Sequence, residues 1–200
     1  MNSRHPIPGS RLALAILLAV NLLNYIDRQV LYAVFPLIKA DLHLSDTALG
    51  LLGSAFMLSY MIAAPLFGWI GDRKNRIQLA ASGLLIWSLA TAGAGFARSY
   101  AALLAARGAV GVGEASFGTV SPGLISDYFP QERRGRVLAW FYIAIPVGSA
   151  LGYLFGGVVG QKYGWQSAFL LAGIPGLIIT IPLWRLKDPR SIRKTDKSDT

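Results

Sequence analysis

The sequence contains no cysteine and few charged residues. The absence of cysteine excludes disulfides and thiolate metal sites, and it leaves the redox compartment undetermined. Charged residues make up 14% of the 200 residues, against about 25% in a typical soluble domain. The chain also lacks a Walker phosphate loop, an HExxH metal motif and a dinucleotide fingerprint, so ATP drive, metal catalysis and a bound cofactor have no support. We therefore expect no cofactor, no metal and no enzyme.

Most of the chain consists of long apolar segments, and hydrophobic residues make up 54% of it. Six segments are each close to the roughly 20 residues that a spanning helix needs. They are residues 12–38, 48–70, 77–97, 101–128, 137–159 and 165–184. An isolated strand cannot satisfy its backbone in lipid, so all six are predicted to be helices. The sequence predicts an all-α membrane protein with a six-helix domain over residues 12–185, an N-terminal tail over 1–11 and a polar tail or linker over 186–200.

Basic residues are distributed unequally between the two sides of the predicted bundle. With the first segment running outward, fourteen of the 19 basic residues fall in the tails and loops of one side. The other side holds Lys39, Arg98 and Lys162. Because the side richer in Lys and Arg faces the cytoplasm, we predict cytoplasmic termini in a multi-pass protein of the cell inner membrane. The net charge of +9 then needs no nucleic-acid partner.

Charged residues interrupt two of the apolar segments. Arg107 and Glu114 are seven residues apart in the fourth segment, so two helical turns place them on one face. Asp27 and Arg28 interrupt the first segment. At about 1.5 Å of rise per residue, these two should fall between Arg107 and Glu114 in depth, where acids and bases can neutralise one another. Ionisable groups at membrane depth are costly and usually mark a pathway or a binding site.

Two interpretations of these charges are open. They form either a structural ion-pair cluster that holds two helices in register, or a site for substrate and protons. We favour the second, since buried ionic networks are not needed for stability. Asn21, Asn24 and Arg28 share one helix face by their spacing. Some aromatic residues could line the same cavity or pack between helices instead, and these are Tyr25, Phe56, Tyr60, Phe117 and Tyr142.

Two further patterns concern helix contacts. The short turn Gly71–Arg76 has one carboxylate, Asp72, followed by Arg73, Lys74 and Arg76. It is predicted to join two antiparallel helices at the cytoplasmic surface, with Asp72 pairing with these cations or with a helix N-terminus. In the fifth segment small residues recur every four positions, which predicts a close helix–helix contact. They are Ala144, Gly148, Gly152, Gly156 and Gly160.

Several of these stretches resemble a known family. GDRKNR at residues 71–76 resembles the loop signature of the major facilitator superfamily, and RGAVGVG at residues 107–113 resembles its fourth-helix signature. Within that superfamily, four stretches are similar to the spinster family, whose members are proposed exporters of lysolipids and sphingolipid-type molecules. They are NYIDR at 24–28, RGAVGVGEAS at 107–116, SPGLISDYF at 121–129 and FYIAIPVGSALGY at 141–153. The resemblance covers nearly the whole chain except its tails.

The resemblance implies one half of a major facilitator bundle, built as a 3+3 inverted repeat with its substrate site near the midplane. The family's buried residues correspond to Asp27, Arg28, Arg107 and Glu114. We expect Glu114 and Asp27 to exchange protons. The residues expected to bind substrate are Arg28, Arg107, Asn24 and Tyr25. The residues expected to serve conformational change are Gly71, Asp72, Arg73, Arg76, Gly148 and Gly152.

The sequence thus predicts a proton-coupled secondary transporter that moves an amphipathic or lipid-like molecule by alternating access. Its expected partners are membrane lipid, the substrate, protons, and a C-terminal six-helix half or a second copy, because the superfamily has twelve helices. The alternative is a truncated or vestigial six-helix module without transport activity of its own. An intramembrane aspartyl protease is disfavoured, since it needs two facing acids that share a proton, and Arg28 beside Asp27 favours the ionised acid.

Overall fold

Long helices joined by short turns make up the fold. The computed structural model describes residue 7 and residues 9–192, and all regular secondary structure in this part of the chain is helical. The helices are α1 (Ser10–Ala33), α2 (Phe35–Leu42), α3 (Asp46–Arg73), α4 (Arg76–Ala94), α5 (Tyr100–Tyr128), α6 (Gln131–Tyr163) and α7 (Trp165–Trp184). A long helix is present at each of the six predicted segments, so the predicted all-α fold is confirmed.

Polar residues at the helix starts explain why the turns are short. The side chains of Ser45 and Ser99 each accept a hydrogen bond from the backbone N–H three residues further on, at the starts of α3 and α5. The Asn75 side chain accepts from the backbone N–H groups of Ile77 and Gln78 at the start of α4. Such caps satisfy amides that have no partner within the helix. Each of these helices can therefore begin directly after a turn.

The first predicted span, residues 12–38, is wrong at its C-terminal end. The structure interrupts it at Val34, where α1 stops and the short helix α2 begins. Pro36 lies in the first turn of α2. Because proline has no backbone N–H and its ring clashes with the preceding turn, it is tolerated in a first turn but not in a helix interior. The apolar run is therefore divided into a 24-residue helix and an 8-residue helix.

Five helices in the described part of the chain are long and apolar enough to cross a membrane, as judged by length and composition. They are α1, α3, α4, α6 and the helix that begins at Trp165. Helix α5 has 29 residues but does not belong to this group. Its charged residues, Arg107 and Glu114, lower its hydropathy. The helix that carries two buried charged side chains, Arg107 and Glu114, is therefore the long helix that composition alone does not identify.

The helices pack in pairs that follow an inverted repeat. Helix α1 packs along α6, α3 packs along α5, and α4 packs against both α5 and α7. Consider a two-fold axis that exchanges α1 with α5, α3 with α6, and α4 with α7. It maps the α1–α6 contact onto the α5–α3 contact, and it maps the α4–α7 contact onto itself. This is the arrangement predicted for a 3+3 repeat.

Two hydrophobic clusters occupy the two ends of the bundle. One cluster contains Val20, Trp87 and Phe117, and the other contains Val30 and Phe169. Along α1, the charged residues of the first segment lie between the valines of these two clusters. The buried charges therefore lie between two clusters of packed side chains.

The predicted tails lie partly outside the described residues, since residues 1–6, 8 and 193–200 are not described. The polar tail or linker predicted over residues 186–200 is described up to residue 192, and its first residues pack against the bundle. Leu186 packs against the hydrophobic core, and Asp188 is buried. An ion pair with Arg76 accounts for this burial, because a paired carboxylate can be buried where an isolated one cannot.

Candidate functional site

The two charged groups predicted from the sequence meet in the structure. Nε of Arg28 on α1 donates a hydrogen bond to Oε2 of Glu114 on α5, at 2.6 Å. The Glu114 side chain is fully buried, whereas that of Arg28 is 23% exposed. Hydrogen bonds between ionised partners are short and about twice as strong as neutral ones. The pair therefore fixes α1 against α5, and Arg28 connects the buried carboxylate to the accessible side of the bundle.

Three aromatic rings surround the guanidinium group of Arg28. Its Cζ atom lies 5.1 Å from the ring centroid of Tyr25, 4.9 Å from that of Phe56 and 5.4 Å from that of Tyr60. A cation over an aromatic face is attracted by the ring quadrupole, and Arg makes this contact more often than Lys. The rings thus hold Arg28 in place independently of Glu114, in a setting that is apolar on several sides.

Two of the five candidate aromatic residues do not surround Arg28. Phe117 is buried in the core, with its ring centroid 5.7 Å from that of Trp87 and 6.3 Å from that of Phe141. Tyr142 is exposed on α6. Of the two interpretations left open for the aromatic residues, packing between helices applies to Phe117. The rings that contact the site come from α1 and α3.

Asp27 and Arg107 complete a buried group of two acids and two bases. Both side chains are buried, and the charges of Asp27, Arg107 and Glu114 lie close enough to influence one another. Arg107 places its Cζ atom 5.0 Å from the Phe56 ring, which it shares with Arg28. We refer to Asp27, Arg28, Arg107 and Glu114 as the charge tetrad. Its formal charges cancel, which is the condition under which ionised groups are tolerated at membrane depth.

The charge tetrad has more hydrogen-bonding capacity than the surrounding protein uses. Within the described residues, Asp27 Oδ1, Glu114 Oε1, and the Nε and Nη2 atoms of Arg107 make no hydrogen bond. Trp87 and Thr91 lie beside Asp27, and Asn24 lies beside Glu114. Nearly all buried polar atoms in proteins are paired, so unpaired ones call for an explanation. Donor and acceptor atoms that face a shared interior can exchange partners with protons, water or a bound ligand.

The predicted polar face of α1 is divided between two neighbours. Asn21 donates a hydrogen bond through Nδ2 to the backbone oxygen of Phe141 on α6, at 2.7 Å, so it fixes a helix contact. Asn24 is buried beside Glu114. The spacing of Asn21, Asn24 and Arg28 suggested a single face. Of the two asparagines, Asn24 lies beside the charge tetrad, whereas Asn21 contacts α6.

The glycine-rich face of α6 packs directly on α1. A Cβ atom at Gly148 would lie 2.7 Å from Cβ of Tyr25, and one at Gly152 would lie 2.6 Å from the backbone oxygen of Ile26. The bare backbone therefore lets α6 support the segment of α1 that carries the charge tetrad. The role of Gly148 and Gly152 in conformational change stays a prediction.

A second charged cluster lies at the end of the bundle where α4 begins. Nη2 of Arg76 lies 2.8 Å from Oδ2 of Asp127 on α5 and 2.8 Å from Oδ1 of Asp188, which follows α7. The backbone N–H and Nε of Arg76 also donate to Asp188, at 2.9 and 3.2 Å. This residue therefore joins three parts of the chain through one buried guanidinium group.

The other candidate residues of the α3–α4 turn are not part of this buried charged cluster. Asp72 is exposed and lies 3.8 Å from Arg190, a cation outside the loop, and the same arginine donates to the backbone oxygen of Gly71. Cζ of Arg73 lies 4.2 Å from the ring centroid of Trp69. Sequence reasoning did not predict the Arg190 partner, and it did not select Asp127 or Asp188. An acid inside a basic stretch, such as Asp188 in KDPR, was the available signal.

Replacing Asp188 by asparagine is expected to destabilise the protein by about 1–3 kcal/mol, the usual range for a lost charged hydrogen bond. Arg76 keeps Asp127, which limits the loss. Thermal unfolding in detergent measures the effect, and proteolysis near residue 190 should accelerate. Asp72→Asn is the matched control, because that carboxylate is exposed and its pair with Arg190 is long. Equal melting temperatures for both variants would contradict the assigned role of Asp188.

Comparison with known proteins identifies the class. Residues 17–200 match the family model of the Major Facilitator Superfamily. The chain belongs to this superfamily, and it is a multi-pass integral membrane protein. Its fold is that of one half of a major facilitator bundle.

Within the superfamily, the chain is similar to the spinster proteins. It is 45% identical to human protein spinster homolog 1 over 174 residues, which is 85% of this chain and 33% of that protein. It is 38% identical to protein spinster of Drosophila melanogaster over 175 residues, which is 87% of this chain and 29% of that protein. The chain therefore spans about a third of the length of the curated relatives it matches.

A solved structure supports the same assignment. The crystal structure of a bacterial homologue of the human lysosomal transporter Spinster, in an inward-facing and unoccupied conformation, superimposes with a TM-score of 0.85 at 28% identity. The match covers 92% of this chain and 44% of that chain. An inward-facing, occupied form of such a homologue gives a TM-score of 0.84. The six long helices thus correspond to slightly less than half of a complete spinster-type bundle.

Proposed function

We propose that this chain is half of a secondary active transporter that moves an amphipathic, lipid-like molecule by alternating access, driven by protons. The observation that carries the proposal is the hydrogen bond between the partly exposed Arg28 and the buried Glu114. It joins α1 and α5 through one titratable carboxylate. A single protonation event could therefore change how these two helices are held together.

The proposed coupling is a competition between Arg28 and a proton for Glu114. While Glu114 is ionised, Arg28 donates to it and α1 is held against α5. A proton on Glu114 removes the negative charge, so Arg28 loses its counter-charge and becomes available to an anionic group of the substrate. A ligand or proton shifts a conformational equilibrium only when it binds the two conformations differently. The Arg28–Glu114 contact is therefore expected to differ between inward-open and outward-open states.

The remaining members of the charge tetrad extend this mechanism. We assign a second proton-exchanging role to Asp27 and a second anion-binding role to Arg107, because each carries buried atoms without a hydrogen-bond partner among the described residues. Asn24 lies beside Glu114 and Tyr25 lies over Arg28, so both could contact the same head group. Gly71, Asp72, Arg73 and Arg76 are proposed to hold the helix ends through the rocking motion.

The surroundings of Arg28 favour an amphipathic substrate. One guanidinium group is surrounded by Tyr25, Phe56 and Tyr60, so a polar head group and an apolar chain could be bound within a few ångströms of each other. Hydrophobic side chains line most ligand sites, and a few polar groups fix the orientation of the ligand. A sugar would need more hydrogen-bonding side chains than Asn24 and the two tyrosines provide.

Transport is proposed to require a second six-helix half. The relatives are about three times as long as their matched segments, and superfamily substrate sites lie between two halves. The second half could be further residues of the same polypeptide, a separate chain or a second copy. We propose that both termini of this half face the cytoplasm and that the membrane is the cell inner membrane, because basic residues are concentrated on that side.

Replacing Arg28 by alanine in the intact gene product is expected to reduce transport at least about tenfold, since the variant lacks both the partner of Glu114 and the anion-binding group. Uptake of a fluorescent lysophospholipid into proteoliposomes with an imposed pH gradient measures this. Arg28→Lys keeps the charge and should retain part of the activity. Arg98→Ala, which removes an exposed cation, is the control. Wild-type transport by a folded Arg28→Ala protein would leave only a structural role for the pair.

A further inference from the structure

The exposed tryptophans lie at one end of the bundle. Trp69 near the end of α3 is 57% exposed, Trp140 in the third turn of α6 is 58% exposed, and Trp184 at the end of α7 is 46% exposed. The remaining two tryptophans, Trp87 and Trp165, are buried. Exposed tryptophan is characteristic of the depth at which lipid head groups meet acyl chains. This end of the bundle therefore carries an interfacial ring of indoles.

Cations without acidic partners surround these indoles. We call this region the basic end; it comprises the start of α1, the α3–α4 and α5–α6 turns, and the segment that follows α7. In the part of the chain that the structure describes, its exposed cations without an ion pair are Arg11, Arg73, Lys74, Arg133, Arg136, Arg185 and Lys187. Three acids of this end are paired, since Asp127 and Asp188 pair with Arg76 and Asp72 pairs with Arg190. The fourth, Glu132 in the first turn of α6, is exposed and has no ion pair among the described residues.

The first turns of α6 concentrate this charge. Arg136 and Trp140 are four residues apart, so they lie on one helix face, and Arg133 lies one turn earlier. Helix α1 is adjacent and runs in register, because Asn21 bonds Phe141 and Gln29 bonds Ser149. The same offset places Arg11 beside the first turn of α6. Arg133 and Arg136 thus lie on the helix face that carries the exposed indole of Trp140, closer to the start of α6.

We propose that the basic end binds anionic phospholipid head groups, with Arg133, Arg136 and Trp140 as the main contacts. Juxtamembrane basic clusters attract anionic lipid, and a neighbouring indole would lie at the boundary between head group and acyl chain. This ligand belongs to the surrounding leaflet and is distinct from the transported molecule at the charge tetrad. The site depends on the fold and the basic end, and it does not require the proposed transport activity.

The test compares thermal unfolding of the full chain in nanodiscs of phosphatidylcholine alone and with phosphatidylglycerol added. We expect the melting temperature to rise with phosphatidylglycerol, and the rise to fall at least about threefold at high salt because exposed charges are screened. The double variant R133Q/R136Q should lose most of the rise. Lys162→Gln is the matched control, because Lys162 lies at the opposite end of α6 and also contacts an aromatic ring, that of Tyr163. It should keep the full rise.

Three outcomes would overturn the proposal. An equal rise with phosphatidylethanolamine would show that anionic charge is not recognised. An equal loss of the melting-temperature rise in R133Q/R136Q and in Lys162→Gln would show that the basic end binds anionic lipid no better than the opposite end does. Loss of the melting-temperature rise in Arg28→Ala alone would show that the lipid binds at the charge tetrad as a substrate.

If the double variant is poorly folded, brominated lipids provide a second measurement on the wild-type chain. Brominated phosphatidylglycerol should quench tryptophan fluorescence more than brominated phosphatidylcholine at equal mole fraction. Equal quenching would also contradict the proposal.

Discussion

Replacing Glu114 by glutamine is expected to abolish proton-driven transport by the intact gene product and to leave its membrane insertion unchanged. Glutamine has nearly the shape of glutamic acid but cannot release or accept a proton at this position. It therefore imitates the protonated state permanently, and Arg28 loses its counter-charge. A positioned proton acceptor typically contributes about 100-fold or more to the rate of the step it serves, so we expect a loss of at least that size.

The structure indicates that this variant should still fold. Arg28 is partly exposed and is contacted by three aromatic rings, and the glutamine oxygen can still accept a hydrogen bond from its Nε atom. We expect a loss of about 1–3 kcal/mol in unfolding free energy, which is small enough to keep the protein in the membrane. Melting temperature and membrane yield should be measured on the sample used for transport.

A second carboxylate on the exposed surface provides the control for Glu114→Gln. Glu132→Gln removes an exposed acid from the first turn of α6 and should transport normally. Flux should be measured with and without a pH gradient, because a coupling residue affects the response to the gradient and a substrate-binding residue affects both conditions. If Glu114→Gln responds to a pH gradient as the wild type does, Glu114 is not the coupling site. The pair with Arg28 would then be a structural link.

The contact between α6 and α1 depends on the bare backbone of Gly152. Gly152→Ala is expected to lower the melting temperature strongly, because a Cβ atom there would lie 2.6 Å from the backbone oxygen of Ile26 and 2.8 Å from Cβ of Gln29. These neighbours are backbone or close to it, so they cannot rotate away. Overpacking of this kind typically costs about 1–3 kcal/mol. Displacement of α1 would also shift Arg28, so transport should fall together with stability.

The same helix provides the control for this prediction. Gly157 lies five residues further along α6, and a Cβ atom there would have no atom within 4 Å. Alanine is about 1 kcal/mol more favourable than glycine in a helix interior, so Gly157→Ala should be neutral or stabilising. Thermal unfolding of both variants in one detergent separates close packing from helix propensity. A melting temperature for Gly152→Ala at or above that of Gly157→Ala would show that α6 does not depend on a bare backbone at Gly152.

Much of the fold could be predicted from the sequence because its strongest signals are local. Length and apolarity identified all six long helices, and the i, i+4 spacing of small residues predicted a closely packed face on α6. The break at Val34 was missed, although Pro36 was visible, because an apolar run does not reveal whether a proline lies within one helix or in the first turn of the next. Helix α5 was predicted correctly, although its charged residues lower the mean hydropathy by which spanning helices are recognised.

The candidate site could be predicted in part for the same reason. An arginine or a carboxylate inside an apolar segment stands out from its neighbours, so Asp27, Arg28, Arg107 and Glu114 could be selected without coordinates. Asp127 and Asp188 could not, because each lies at a helix end or in a polar stretch where charged residues are ordinary. Their burial depends on Arg76, which is distant in sequence from both.

The sequence by itself determined which segments are helical and that the charges inside apolar segments lie within the bundle, because an ionisable residue in an apolar segment is recognised from its neighbours along the chain. Only the tertiary structure decided which partners these charges have. Arg28 contacts Glu114 while Asn21, two turns earlier, contacts α6, and this division depends on the crossing of three helices. Helix period gives each residue a face, but packing determines which neighbour that face meets.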